Sequence, residues 1–177
     1  MKKFIYPVFG IAMAISIASC LDEGKAKYLN EKTLIDDGGV TLIKNGLEGG
    51  LTEIKASTLA ETHSQNPRVI SLAKMMITDH TQADSTLAWM EDDKMLTEKD
   101  TISAEHKELI DSLATKNGAD FDKAYIAMMI KDHEEAVELF QDQSNDKNQT
   151  IQDFARKTLP VIQGHLAEAK SIEGSLK

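Results

Sequence analysis

Two matching stretches carry most of the fold information in this chain: MMITDHTQA at residues 75–83 and MMIKDHEEA at residues 128–136. Six of the nine positions are identical, and the histidine of each copy is His80 in the first and His133 in the second. The offset of 53 residues is too long for a simple solenoid repeat and suits a helical hairpin. The repeat therefore predicts two related helices with their histidines in equivalent positions.

Apolar residues around both copies follow helical periodicity, and the histidines lie on the predicted buried faces. The first face comprises Val69, Ala73, Met76, His80, Ala83, Leu87 and Met90, and the second comprises Ile126, Met129, His133, Ala136 and Phe140. A third histidine, His165, lies on the corresponding face of a C-terminal helix. That face also contains Ile151, Ala155, Thr158, Ile162, Ala169 and Ile172.

Capping residues set the predicted helix ends. Asn66 followed by Pro67 is typical of a helix start. Ser103 or Thr101 is expected to cap a shorter helix, and Asp120 is expected to cap the next long helix. Helices are predicted at residues 41–63, 67–94, 101–116, 120–143 and 148–171. Four long helices with short turns predict an all-α fold, an antiparallel four-helix bundle. The helix at 101–116 is then a short extra helix between the two hairpins.

Three features inside the predicted helices carry further expectations. Gly49-Gly50 is unfavourable in a helix and indicates the close approach of a neighbouring helix or a local kink. Pro160 predicts a kink in the last helix, because proline lacks the amide hydrogen that the helix needs. Trp89 is expected to pack at one end of the bundle.

The N-terminus is typical of a bacterial lipoprotein signal. Lys2 and Lys3 precede an apolar segment at residues 4–18, which is short for a membrane span of about 20 residues. The segment ends in Ile17-Ala18-Ser19-Cys20, which resembles a lipobox, and Cys20 is the chain's one cysteine. We expect a signal peptide at 1–19, a flexible tether at 20–39 and the bundle domain at 40–175. An ordinary secretory signal with a chance cysteine is the alternative.

Charge restricts the partners of the processed protein. The whole chain has a net charge of −9, and removal of Lys2 and Lys3 leaves −11 over residues 20–177. An acidic surface argues against nucleic acid as a partner and against electrostatic adhesion to anionic lipid. Together with the lipobox, this charge predicts a cell-envelope protein that its N-terminal lipid holds at the membrane. We expect that membrane to be the outer membrane, with the domain in the periplasm. The sequence does not indicate a protein partner.

Four blocks of sequence resemble a bacterial family called domain of unknown function 4142. They are residues 45–53, residues 73–80, residues 121–125 leading to Asp132-His133, and residues 154–160 leading to His165-Leu166. The resemblance covers about residues 40–173 and implies a ferritin-like bundle, often described as an outer-membrane protein, with no agreed activity. A ferritin-like fold suggests a di-iron centre built on Glu-x-x-His. Ile77 and Ile130 occupy those glutamate positions here, so a di-iron centre is not expected.

A mononuclear metal site is one hypothesis for the core histidines. His80, His133 and His165 would be contributed by three helices, and Glu53 could supply a fourth ligand. Imidazole suits zinc or copper, and Met76 and Met129, one turn before His80 and His133, would favour Cu(I). Counting along the helices places Glu53 and His80 at similar depth. The same count puts His133 and His165 about 9 Å apart along the bundle, which argues against a three-histidine site.

The competing and leading hypothesis makes these histidines structural. Each could hydrogen-bond Tyr125, Glu53, a carbonyl oxygen or another histidine, and Asp79 and Asp132 could orient a neighbouring imidazole. His63 and His106 fall outside the repeat and are expected to be exposed.

The chain contains none of the common catalytic motifs, such as G-x-S-x-G, the Walker glycine loop or H-E-x-x-H, so no catalytic residue is assigned. The sequence thus predicts a non-enzymatic, lipid-anchored envelope protein that binds a partner or acts in stress. The alternative is a zinc- or copper-binding protein.

Overall fold

A computed structural model describes residues 34–94, 96 and 101–176. Five helices make up this part of the chain: α1 (Asp37–His63), α2 (Pro67–Asp93), α3 (Ala104–Ala114), α4 (Gly118–Gln143) and α5 (Gln149–Glu173). The predicted signal peptide, Cys20 and most of the predicted tether lie outside the described residues. None of the described helices is long and apolar enough to cross a membrane.

Side-chain caps begin three of the helices where the sequence predicted a start. Asn66 accepts a hydrogen bond from the backbone N–H of Arg68, Ser103 accepts one from His106, and Asn148 caps α5. The predicted Asp120 cap is wrong, since α4 already begins at Gly118. That glycine has a φ of +57°, a left-handed conformation that a residue with a Cβ rarely adopts.

The first helix begins earlier than predicted. Asp36 accepts a hydrogen bond from the Gly39 N–H at 2.9 Å, so α1 starts at Asp37 and includes two glycines that were assigned to the tether. Acidic caps stabilise helix N-termini because the exposed N–H groups there carry partial positive charge.

The long helices form an antiparallel four-helix bundle, as predicted. α1 packs along α2 and α4 packs along α5, and contacts of α1 with α4 and of α2 with α5 join the two hairpins. The short helix α3 lies in the link between the hairpins and contacts α1 and α4. The fold class is therefore confirmed, including the extra helix.

The structure tests expectations about individual residues. Trp89 does not pack at the bundle end, because 56% of its surface is exposed. The glycine pair has two different environments. A Cβ at Gly50 would lie 2.1 Å from Asp84 Oδ1, so close approach explains this residue, whereas a Cβ at Gly49 would meet nothing within 4 Å. α5 remains one continuous helix through Pro160.

A layer of polar residues divides the core into two apolar clusters. One cluster lies toward the α1–α2 turn and includes Met76, Tyr125 and Met129, and the other lies toward the α4–α5 turn and includes Leu42 and Phe140. Between them each long helix contributes one polar side chain, and together we call these the polar layer: Glu53 from α1, His80 from α2, His133 from α4 and His165 from α5.

Candidate metal centre

The polar layer is almost closed to solvent. Glu53, His133 and His165 are buried, and the His80 side chain is 15% exposed. One nitrogen from each of the three histidines lies within 4.8 Å of the other two. The ring centroids form a near-equilateral triangle with sides of 5.3, 5.5 and 5.7 Å. Among the described residues, this is the one set of three such ligand atoms that lie this close together.

Hydrogen bonds fix the proton positions on two of the rings. His133 Nδ1 lies 2.9 Å from the Met129 carbonyl oxygen, which can only accept, so Nδ1 carries the hydrogen. His165 Nε2 donates to Asp79 Oδ2 at 2.9 Å. In the neutral rings the remaining nitrogens are therefore unprotonated, and His133 Nε2 faces His165 Nδ1 at 3.2 Å. Two lone pairs face each other when both rings are neutral, whereas a protonated His133 would donate a hydrogen bond from Nε2 to His165 Nδ1.

The charge state of His165 follows from its surroundings. Burial lowers the pKa of His165 because a charged ring is poorly solvated there, and the neighbouring His133 and His80 add to this effect. The Asp79 carboxylate opposes the shift, but the net direction remains downward. His165 is therefore held as a neutral ring, which is the form that binds a metal ion.

Glu53 connects the other two histidines. Its Oε2 lies 2.5 Å from His80 Nε2, and its Oε1 lies 3.2 Å from His133 Nδ1. Burial opposes ionisation of Glu53, but the adjacent His80 and His133 hold its pKa far below the usual range. Burial likewise opposes charge on His80, yet the Glu53 carboxylate raises the pKa of that ring. Despite their proximity, Glu53 Oε2 and His80 Nε2 lack a hydrogen-bond partner of acceptable geometry among the described residues.

The expected separation of His133 and His165 along the bundle is wrong, and side-chain direction explains why. Side chains of an α-helix tilt toward its N-terminus. His133 precedes the α4–α5 turn and therefore tilts away from it, whereas His165 follows the turn and tilts back toward it. Both tilts reduce the separation that counting from Cα positions suggests, and His133 Nε2 lies 3.2 Å from His165 Nδ1.

Other predicted site residues lie apart from this point. The Tyr125 hydroxyl pairs with Ser57 at 2.8 Å, and burial, the largest cause, raises the Tyr125 pKa. Met76 and Met129 are fully buried members of the apolar cluster toward the α1–α2 turn. Asp79 and Asp132 occupy equivalent repeat positions but differ in role, since Asp79 orients His165 whereas Asp132 faces His106.

Two histidines expected to be exposed have specific partners. His63 Nδ1 donates to the Lys116 carbonyl oxygen at 2.7 Å, and the ring stacks on Phe121. His106 Nδ1 lies 2.7 Å from Glu48 Oε1 and 3.0 Å from Glu48 Oε2. Both predictions of exposure are therefore wrong, because contacts between helices distant in sequence cover these rings.

A cleft of about 340 Å³ leads from the surface to the polar layer. It lies between α1 and α4 beside α3, and we call it the α1–α4 cleft. Glu48, His106, Asp132 and Glu135 line it together with Glu53, His80 and His133. Burial raises the pKa of Asp132 to about 6, and neither carboxylate oxygen has a hydrogen-bond partner among the described residues.

Sequence reasoning also missed Asp84, which lies one helical turn after His80. Both oxygens of Asp84 are buried without a hydrogen-bond partner in the described part of the chain. Burial raises the pKa of Asp84 to about 6, while the charge of His80 opposes that rise. The absence of a side chain at Gly50 gives this carboxylate its space, and the spacing from His80 on one helix face was the available signal.

Comparisons with known proteins agree with this fold. A crystal structure of a DUF305 fragment from Deinococcus radiodurans superposes with a TM-score of 0.71 at 17% identity, covering 80% of this chain and 98% of that chain. At that identity the likeness shows the fold alone. No curated protein matches this chain. A family model, described as a domain of unknown function (DUF4142), matches residues 30–172, and the chain belongs to that family.

Proposed function

We propose that the bundle binds one divalent transition-metal ion in the polar layer, with His80, His133 and His165 as ligands. The observation that carries this proposal is the pair of facing nitrogens, His133 Nε2 and His165 Nδ1, whose outer nitrogens both donate hydrogen bonds. Metal-binding histidines in proteins have this arrangement, because the outer hydrogen bond fixes the tautomer and directs the lone pair inward.

The distances suit such an ion. Two nitrogens bound to tetrahedral zinc at about 2.0–2.1 Å are separated by about 3.3 Å. His133 Nε2 and His165 Nδ1 are 3.2 Å apart, which matches that separation, and the His80 ligand atom lies within 4.8 Å of the other two. Imidazole ligands suit both zinc and copper(II).

The surrounding charges favour a divalent ion. Glu53 contacts His80 and His133, and Asp79 contacts His165, so two carboxylates lie next to the three rings. Two negative charges balance two positive charges inside a bundle where an uncompensated ion is costly. Glu53 is the nearest candidate for a fourth ligand, because its Oε2 lies beside His80 without a well-formed hydrogen bond.

Metal titration of chelator-treated protein tests this function. Zinc(II) or copper(II) should bind with one-to-one stoichiometry and raise the melting temperature. At 100 times the dissociation constant the gain is about 2.7 kcal/mol, or roughly 5–10 °C for a domain of this size. His133→Ala should abolish both effects, whereas His63→Gln, which alters a histidine outside the polar layer, should retain them.

The opposite result would identify structural histidines. If wild-type protein binds neither ion stoichiometrically and neither changes its melting temperature, the metal-binding function is wrong. His133→Ala would then simply destabilise the protein, because it leaves buried polar groups without partners.

We also propose that Cys20 is acylated and anchors this metal-binding domain in the cell envelope. The support is sequence alone, namely the apolar segment at 4–18 ending in Ile17-Ala18-Ser19-Cys20. Each buried methylene of an attached acyl chain contributes about 0.8 kcal/mol to membrane binding. Cys20→Ser should abolish labelling by a radioactive fatty acid and leave an unprocessed precursor. Unchanged labelling and processing in the variant would overturn the assignment.

A further inference from the structure

The polar layer lies inside the bundle, so an ion needs a route to it. The α1–α4 cleft provides one, because its inner wall includes His80, Glu53 and His133. Its outer part contains a second pair of ligand-type side chains, His106 from α3 and Asp132 from α4. Neither residue belongs to the polar layer.

The position of His106 is fixed by its neighbours. Glu48 accepts a hydrogen bond from His106 Nδ1 at 2.7 Å and from the Ser103 backbone N–H at 2.7 Å. Because Nδ1 is engaged by the carboxylate, Nε2 is the nitrogen that can bind a ligand in the neutral ring, and it lies near Asp132. The contact with Ser103, the N-cap of α3, ties this orientation to the start of the helix.

Asp132 supplies an independent observation. Its side chain is 10% exposed, and both oxygens are buried without a hydrogen-bond partner among the described residues. Asp132 Oδ1 lies 4.0 Å from His106 Nε2, which is too far for a hydrogen bond. A tetrahedral ion with ligand distances of about 2.0–2.2 Å needs its nitrogen and oxygen ligands about 3.4 Å apart, so these two side chains would close by about 0.6 Å to bind it.

We infer that His106 and Asp132 form a capture site that takes a divalent metal ion from solvent and passes it to the polar layer. This inference rests on the proposed function and adds the route by which that site is filled. Asp132 directly precedes His133 in α4, so the capture site and the polar layer share a helix backbone. With two protein ligands, the capture site binds weakly and releases the ion inward to three histidines.

The charge of the cleft supports a cationic ligand. Four carboxylates line it: Glu48, Glu53, Asp132 and Glu135. The described residues that line the cleft include no lysine or arginine. His80, His106 and His133 also line the cleft, so its excess of negative charge is greatest when these rings are neutral. Such an excess raises the local concentration of cations and speeds their association, by factors of about 10–1000 in favourable cases. Anionic substrates would be repelled from the same surface.

The kinetics of metal uptake test the inference. Cobalt(II) serves as the probe, and its visible absorption is followed by stopped flow after mixing with metal-free full-length protein. His106→Gln and Asp132→Asn should each slow uptake about tenfold or more, because each removes a capture ligand. Glu108→Gln, which removes a charge from the exposed side of α3, is the matched control and should leave the rate unchanged.

A steric variant tests the route without altering a ligand. A Cβ at Gly49 meets nothing within 4 Å, and this residue lines the cleft, so Gly49→Leu should fit and obstruct the passage. Uptake and release should both slow, while the equilibrium constant measured against a competing chelator stays within about threefold. A wild-type rate in Gly49→Leu would show that the ion takes another path and would overturn the inference.

Equilibrium affinity separates the remaining outcomes. If His106→Gln and Asp132→Asn take up cobalt at the wild-type rate while wild type binds normally, the capture site is wrong and the proposed function stands. Reduced affinity with unchanged uptake would also overturn the capture site, because Asp132 would then support the polar layer instead. If wild-type protein binds no metal, both the proposed function and this inference fail.

Discussion

Replacement of Asp132 by asparagine should stabilise the metal-free protein at neutral pH. Burial raises the pKa of this carboxyl from 3.8 to about 6, because the charged form exchanges water for a cleft wall that offers it no hydrogen bond. Each pKa unit corresponds to about 1.36 kcal/mol, so the full shift amounts to about 3 kcal/mol. Solvent in the cleft screens the charge, and we therefore expect about half of that, about 1.5 kcal/mol.

The gain should depend on pH in one direction. Because its folded-state pKa is the higher one, Asp132 binds its proton more tightly in the folded than in the unfolded protein. Wild-type protein therefore loses stability as the pH rises from about 4 to about 6, and the loss is complete above that range. The asparagine side chain cannot ionise, so the advantage of Asp132→Asn should be absent at pH 4 and fully developed at pH 7.

Urea denaturation measured from pH 4 to pH 7.5, in the presence of a chelator, provides the assay. The free energy of unfolding of Asp132→Asn minus that of wild type should rise through this range by about 1.5 kcal/mol. Asp111→Asn, which replaces an exposed carboxylate on α3, is the control and should give a nearly constant difference. A constant difference for Asp132→Asn as well would mean that the buried carboxylate carries no such cost.

Two further substitutions test the packing around the polar layer, with urea denaturation as the measurement in both cases. Gly49→Ala should stabilise α1 by about 1 kcal/mol, whereas Gly50→Ala should lose about 1–3 kcal/mol because its Cβ would lie 2.1 Å from Asp84 Oδ1. Equal stabilities of the two alanine variants would contradict this account. Tyr125→Phe should cost about 1–3 kcal/mol, because the buried Ser57 hydroxyl loses its partner at 2.8 Å. A change below about 0.5 kcal/mol would show that Ser57 finds another acceptor.

The bundle could be predicted from sequence because local signals agreed with one another. Asn66-Pro67 and Ser103 begin helices where the sequence indicates, and apolar periodicity marks the buried faces. The repeat placed His80 and His133 on equivalent faces, and both lie in the polar layer. Local signals failed where two residues could each mark the start of a helix. α4 begins at Gly118, two residues before the predicted cap at Asp120.

The site was less accessible to sequence reasoning, because its geometry depends on contacts between distant residues. His165 was a candidate, but counting Cα positions gave a separation that side-chain tilt removes. The pairing of His106 with Glu48 joins residues 58 positions apart on α1 and α3, and no periodicity connects them. The two aspartates of the repeat diverge for the same reason, since α5 supplies a histidine to Asp79 and α3 supplies one to Asp132.

The choice between structural and metal-binding histidines depends on whether the buried polar atoms of the polar layer all have hydrogen-bond partners. A purely structural set would pair donors with acceptors, because each buried polar group left unpaired costs about 1–3 kcal/mol. In this layer the outer nitrogens of His133 and His165 are paired, and in the neutral rings the inner nitrogens face each other as acceptors. Glu53 Oε2 and His80 Nε2 form a close ion pair when His80 is protonated, without the geometry of a hydrogen bond. The unpaired inner nitrogens of the neutral rings lie where the four long helices meet, and one divalent cation bound there would offset their cost.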